Sequence, residues 1–113
     1  MEEYKWYFNG RWVDKSNVKI EPLDRGFIFG DTVFEVSRTF NGKLFRVEQH
    51  VDRLYRSLKY IRLDPGLSPA EMVELHEKAV RVNKHHLREA GDFIIHPMVT
   101  RGPGSWAYSA DSP

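Results

Sequence analysis

The sequence has no cysteine, which excludes disulfides and thiolate metal sites. It has almost no net charge: 17 Lys+Arg against 16 Asp+Glu leave +1. A balance that even recruits neither nucleic acid nor an anionic membrane. No apolar run approaches the ~18 residues that a membrane span needs. The opening MEEYKWYF is acidic and aromatic, unlike a secretory signal. A cytoplasmic protein is therefore expected. Also lacking are a phosphate-cradling P-loop, a G-x-S-x-G elbow, a dinucleotide fingerprint and an HExxH helix. What remains is an ordinary composition, 41% apolar and 29% charged over 113 residues. That length suits one domain with a single modest core.

The pattern along the chain predicts an α+β fold, a small antiparallel or mixed sheet with two helices packed on it. Tyr4 to Phe8 and Arg11-Trp12-Val13 flank Asn9-Gly10, a strong hairpin signal because both turn residues must accept positive φ. Val18 to Glu21 suggests a short strand closed by Pro22. Gly26 and Gly30 bracket Phe27-Ile28-Phe29, which suggests a bent loop. Thr32 to Phe40 reads as one strand, Asn41-Gly42 as a second hairpin turn and Lys43 to Val47 as the return. Val47, Val51, Leu54, Leu58 and Ile61 form an apolar seam that predicts a helix over Glu48–Ile61. Asp64-Pro65-Gly66 stops it. Ser68-Pro69-Ala70-Glu71 is a capping box opening a second helix that should run to about Glu89. Asp92 to Thr100 is the expected last strand, with Pro97 at an edge or bulge.

Three arginines are candidates for binding. His50, Arg53 and Ser57 stack on one flank of the first helix, about a right angle from the seam. Arg53 has a planar fork that matches phosphate or carboxylate oxygens, and His50 and Ser57 can orient it. The same pattern also suits a solvated flank with a surface ion pair. Arg38 shares a strand face with Phe34 and Val36, opposite Glu35, Ser37 and Thr39. It can meet a substrate carboxylate or pair outward with a neighbour. Arg101 stands at a strand end in T-R-G-P-G, where glycines leave room for a ligand, although any basic loop looks alike. The histidines lack metal-ligand spacing, so no metal is expected. Trp6 and Trp12 suit core or interface packing better than stacking on nucleic acid.

Taken together, FNGRWV, then PLDRGFIFGDTVFEVSRTFNGKLFRVEQHVDRLYRSLKYI, then VTRG resembles the N-terminal small domain of class IV aminotransferases. These are the fold-type IV pyridoxal-phosphate enzymes. They include D-amino-acid and branched-chain aminotransferases, R-selective amine transaminases and aminodeoxychorismate lyase. The resemblance implies that Arg53 grips the cofactor phosphate, with His50 beside it. It implies that Phe34 lines the substrate pocket and that Val36 and Arg38 are pocket positions. Arg101 matches a position used for the substrate carboxylate. The lysine that bonds the cofactor belongs, in such enzymes, to a C-terminal domain, and no lysine here matches it. Residues 1–113 are therefore expected to be the small domain of a two-domain homodimeric enzyme that acts on an amino donor and a 2-oxo acid. A lyase of the same family and a stand-alone binding domain are the alternatives. Arg53→Ala is expected to weaken cofactor binding and leave the fold intact.

Overall fold

The computed structural model describes residues 2–104. The chain opens with a hairpin, β1 (Lys5–Phe8) and β2 (Arg11–Asp14), paired antiparallel. Asn9 and Gly10 take φ of 50° and 89°, as the tight turn requires. A 3-10 turn follows at Lys15–Asn17. The short strand expected over Val18–Glu21 does not form: among the described residues this segment joins no sheet.

Residues 25–29 differ from expectation as well. Arg25–Phe29 is a short helix, α1, and not a loop. The Asp24 carboxylate caps it by accepting from the Gly26 N–H at 2.7 Å, and Gly30 closes it in the left-handed conformation at φ 69°. Those glycines terminate and pack a helix. A Cβ on Gly26 would lie 2.5 Å from Thr100 Cγ2, so α1 meets the strand carrying Thr100 at glycine distance.

The strand expected over Thr32–Phe40 is divided. β3 (Thr32–Phe34) pairs antiparallel with β7 (Met98–Thr100). β4 (Ser37–Phe40) lies between β5 (Lys43–Phe45) and β6 (Ile94–Ile95), also antiparallel. The break at Glu35-Val36 stands opposite a second break at His96-Pro97, and the Glu35 N–H still donates to the Pro97 carbonyl at 3.2 Å. Proline cannot donate to a ladder, so the last strand splits there. The Asn41-Gly42 turn is again of the positive-φ kind, at 53° and 77°. The Asp92 carboxylate steadies it, accepting from Gly42 N–H at 3.0 Å and Thr39 Oγ1 at 2.6 Å.

Two helices cover the sheets. α2 (Val47–Tyr60) buries Val47, Val51, Leu54 and Leu58, the predicted seam, while Ile61 ends the helix partly buried. α3 (Pro69–Val82) starts on the predicted capping box, with both of its hydrogen bonds made. Met72 adds to the buried cluster, and Val33, Leu44, Val73 and Val99 flank it. The second helix does not run on to Glu89. Asn83 interrupts it, and a 3-10 turn and α4 (Leu87–Ala90) follow. The reason is chemical. The buried Asn83 amide accepts from the Lys5 N–H at 2.7 Å and donates to the Lys5 carbonyl at 3.0 Å. It thus stands in for a strand partner to β1 and ties the first hairpin to the helix end.

Candidate functional site

Glu35, His50 and Arg53 form the most strongly interacting polar group on the helix flank. Glu35 leaves the strand break and points inward, with its side chain 8% exposed. Its Oε2 accepts from Arg53 Nε at 2.7 Å and its Oε1 from Arg53 Nη2 at 2.8 Å. Oε1 also meets His50 Nδ1 at 2.9 Å. His50 and Arg53 are one helical turn apart on α2, so a single carboxylate gathers both. The Arg53 hydrogen bonds hold the Glu35 carboxyl down to about 2 from the ordinary 4.5, against the opposing effect of burial and with help from His50. Arg53 is raised in turn by Glu35. Yet the Arg53 side chain is 61% exposed, and its Nη1 has no partner among the described residues. The predicted flank is therefore both things at once, an ion pair on one edge and an open donor on the other. Ser57, further along, takes no part in this group.

Phe34, Val36 and Arg38 project from the opposite face of the same segment. Glu35, Ser37 and Thr39 are buried at 7%, 3% and 0%, while Phe34 and Val36 are 54% and 43% exposed. The alternation is as expected, and the polar side chains go inward while Phe34 and Val36 go outward. Strand pairing extends the apolar face, since Phe34 stands opposite Met98 and Arg38 opposite both Phe45 and Ile94. His96 packs edge-on against Phe34, ring centres 5.0 Å apart. Arg38 Cζ lies over the Phe40 ring at 3.9 Å, and the side chain donates from Nε to the Thr39 carbonyl and stands 3.8 Å from Asp92. The face offers aromatic and aliphatic surface with a half-exposed cation in it.

Arg101 is placed elsewhere. Its side chain is 12% exposed, donates from Nε to Asp31 Oδ2 at 2.5 Å and from Nη2 to the Ile61 carbonyl at 2.7 Å. Ile61 caps the C-terminal end of α2, so Arg101 joins that end to the loop before β3. This geometry ties Arg101 into the scaffold between the end of α2 and the start of β3. A second arginine that sequence reasoning passed over supports the same junction. Arg25, 2% exposed, donates from Nε to the Gly102 carbonyl and from Nη2 to the carbonyls of Arg101 and Pro103. Asp24 accepts from Thr100 Oγ1 at 3.0 Å. The D-R-G and T-R-G motifs are thus two halves of one clasp.

Glu35 is the other residue missed. The available signal was its place in the buried-or-exposed alternation, in register with Ser37 and Thr39. Among the described residues no cluster of His, Asp and Glu could hold a metal ion, and no helix is long and apolar enough to cross a membrane.

The family described as amino-transferase class IV matches residues 32–113. The chain is 38% identical over 109 residues to a D-alanine aminotransferase of Staphylococcus aureus, covering 96% of this chain and 37% of that protein. Among solved structures, it matches the branched-chain aminotransferase of Thermoproteus uzoniensis with norvaline at a TM-score of 0.71 and 26% identity. That match covers 88% of this chain and 33% of the other. It shares its fold with a T.th. branched-chain amino acid aminotransferase complexed with N-(5'-phosphopyridoxyl)-L-glutamate, at a TM-score of 0.75 and 24% identity, over 99% of this chain and 36% of that one. The chain belongs to the class IV aminotransferase family. It spans about a third of the length of the relatives it matches.

Proposed function

We propose that this chain is the small domain of a pyridoxal-phosphate-dependent aminotransferase, where Arg53 anchors the cofactor's phosphate and Phe34, Val36 and Arg38 line the substrate pocket. The protein would move an amino group between an amino acid or amine (a D-amino acid, a branched-chain amino acid or an R-amine) and a 2-oxo acid. It would act as a cytoplasmic homodimer. The lysine that bonds the cofactor is assigned, on this reading, to a second domain of the kind that the relatives' greater length accommodates.

One observation carries the proposal. A guanidinium has a side edge, Nε and Nη2, and an end edge, Nη1 and Nη2. Glu35 occupies the side edge of Arg53 and leaves the end edge open, with the side chain 61% exposed. That is a two-pronged donor of the shape a phosphate accepts. When bound, the cofactor supplies the electron sink for amino transfer. The chain's own residues bind, orient and shield. Arg53 binds, His50 and Glu35 hold it, and the Phe34 face excludes water from an apolar substrate side chain. Arg38 supplies positive charge on that face, while Arg101 and Arg25 keep the β3–β7 pair in place. The relatives named for D-alanine and branched-chain substrates support the substrate class.

The test compares pyridoxal 5'-phosphate with pyridoxal, which lacks the phosphate, as ligands of the protein that carries this chain. Arg53→Lys keeps a charge for Glu35 and removes the fork. The phosphate's contribution to affinity, read as the ratio of the two dissociation constants, should fall about ten- to a hundredfold. An unchanged ratio removes Arg53 from the cofactor site.

A further inference from the structure

We infer that Glu35 is a positioning residue for Arg53: it fixes the guanidinium so that the end edge alone faces an incoming phosphate, and His50 fixes Glu35. The inference rests on the reading that Arg53 meets a phosphate, and goes beyond it by assigning the selection of the edge.

Three observations carry it. The first is that the pair is bidentate, at 2.7 and 2.8 Å, which sets the plane of the guanidinium as well as its position. In addition, Glu35 is itself held. Its carboxylate is 8% exposed, a third hydrogen bond comes from His50 at 2.9 Å, and its backbone N–H is tied to Pro97. Finally, Arg53 has no other hydrogen-bond partner among the described residues. An arginine whose side chain is 61% exposed would otherwise sample many rotamers, and each binding event would have to freeze them.

Two effects of Glu35 oppose each other. Its negative charge subtracts from the attraction between Arg53 and a phosphate. It lies across the guanidinium, roughly twice as far from the phosphate as the guanidinium carbon is, so the repulsion is the smaller share, and open solvent screens both. Pre-organisation acts at full strength, because a long side chain is held in one pose before the ligand arrives. Pre-organisation therefore wins, and loss of Glu35 weakens phosphate binding instead of strengthening it.

The experiment is a double-mutant cycle read on the same affinity ratio, with pyridoxal 5'-phosphate and pyridoxal as the probes. Glu35→Gln in the otherwise unchanged protein should lower the ratio about five- to tenfold. The same substitution in the Arg53→Lys background should leave it unchanged within about twofold. A merely structural Glu35 would alter stability in both backgrounds and move the ratio in neither. If Glu35→Gln leaves the ratio as it was, raises it, or lowers it equally in both backgrounds, the positioning role is wrong. If Arg53→Lys alone has no effect on the ratio, the anchor itself is wrong, which is a separate failure. Should Glu35→Gln not fold, Glu35→Asp serves: it keeps the charge, but it is one methylene shorter and its carboxylate falls short of the guanidinium. It should lower the ratio in the same direction, and full retention of the ratio would overturn the inference.

Discussion

Arg53→Ala should lower the stability of the fold as well as remove the anchor. The structure supplies the magnitude through Glu35. Its carboxyl is held at about 2 instead of 4.5, which corresponds to about 3 kcal/mol of preference for the ionised, folded form at neutral pH. The Arg53 hydrogen bonds are the first cause of that shift, and burial works against it. With Arg53 gone, His50 remains as the side-chain partner of a buried carboxylate among the described residues. Allowing for solvent screening on the open side, Glu35 should lose about 2 kcal/mol of its stabilisation. Urea denaturation followed by circular dichroism at pH 7 measures this. The double variant Arg53→Ala/Glu35→Gln should recover part of the loss, because a buried amide costs less than a buried unpaired charge. The pH dependence has a definite sign. Glu35 is depressed in the folded state, so its stabilisation is present above about 4.5 and is lost as pH falls toward about 2. The deficit of Arg53→Ala should therefore be largest above pH 4.5 and close on acidification. A variant within about 0.5 kcal/mol of the parent at pH 7 would refute this reasoning, as would a deficit that stays constant with pH.

Two further perturbations probe the packing around the site. Gly26→Ala places a Cβ 2.5 Å from Thr100 Cγ2, so it should cost about 1–3 kcal/mol in thermal or urea denaturation and loosen the α1 clasp. An effect below about 0.5 kcal/mol would mean that α1 does not pack there. His76 is 3% exposed, bonds the Met72 carbonyl through Nδ1 at 2.8 Å and has no partner for Nε2 among the described residues. Burial pushes its pKa below the usual 6.5, so the unfolded chain takes up a proton first and stability falls as pH drops below 6.5. His76→Leu should flatten that part of the stability–pH curve, and an unchanged slope would place the acid sensitivity elsewhere.

The elements with a strong local signal were legible. Both Asn-Gly hairpins, the α2 seam and the Ser68 capping box form at the expected places, because each is decided by residues within one turn of one another. Elements set by partners were not. Nine residues of good strand propensity form two strands because β7 ends its pairing at Pro97 and β6 takes over on the far side. Asn83 breaks a helix of good helix formers because Lys5, 78 residues away, needs a backbone partner. The helix at Arg25–Phe29 was hidden although Asp24 and Gly30 are caps of the usual kind, since five residues are too few to show a period. The site divides in the same way. Alternation told which side chains share a face with Phe34, but it could not tell which face is buried. Hence Arg53 and His50 were visible as a flank, while the carboxylate that joins them was not. Arg101 was visible as a basic strand end, while its partners Asp31 and Ile61 lie 70 and 40 residues away.

The most direct test is a crystal structure of the protein that carries this chain with pyridoxal 5'-phosphate bound. A phosphate oxygen is expected about 3 Å from Arg53 Nη1, with Arg53 Nε–H and Nη2–H still donating to the Glu35 carboxylate. A phosphate held entirely by other groups, or an Arg53 that has left Glu35 to reach it, would contradict the account.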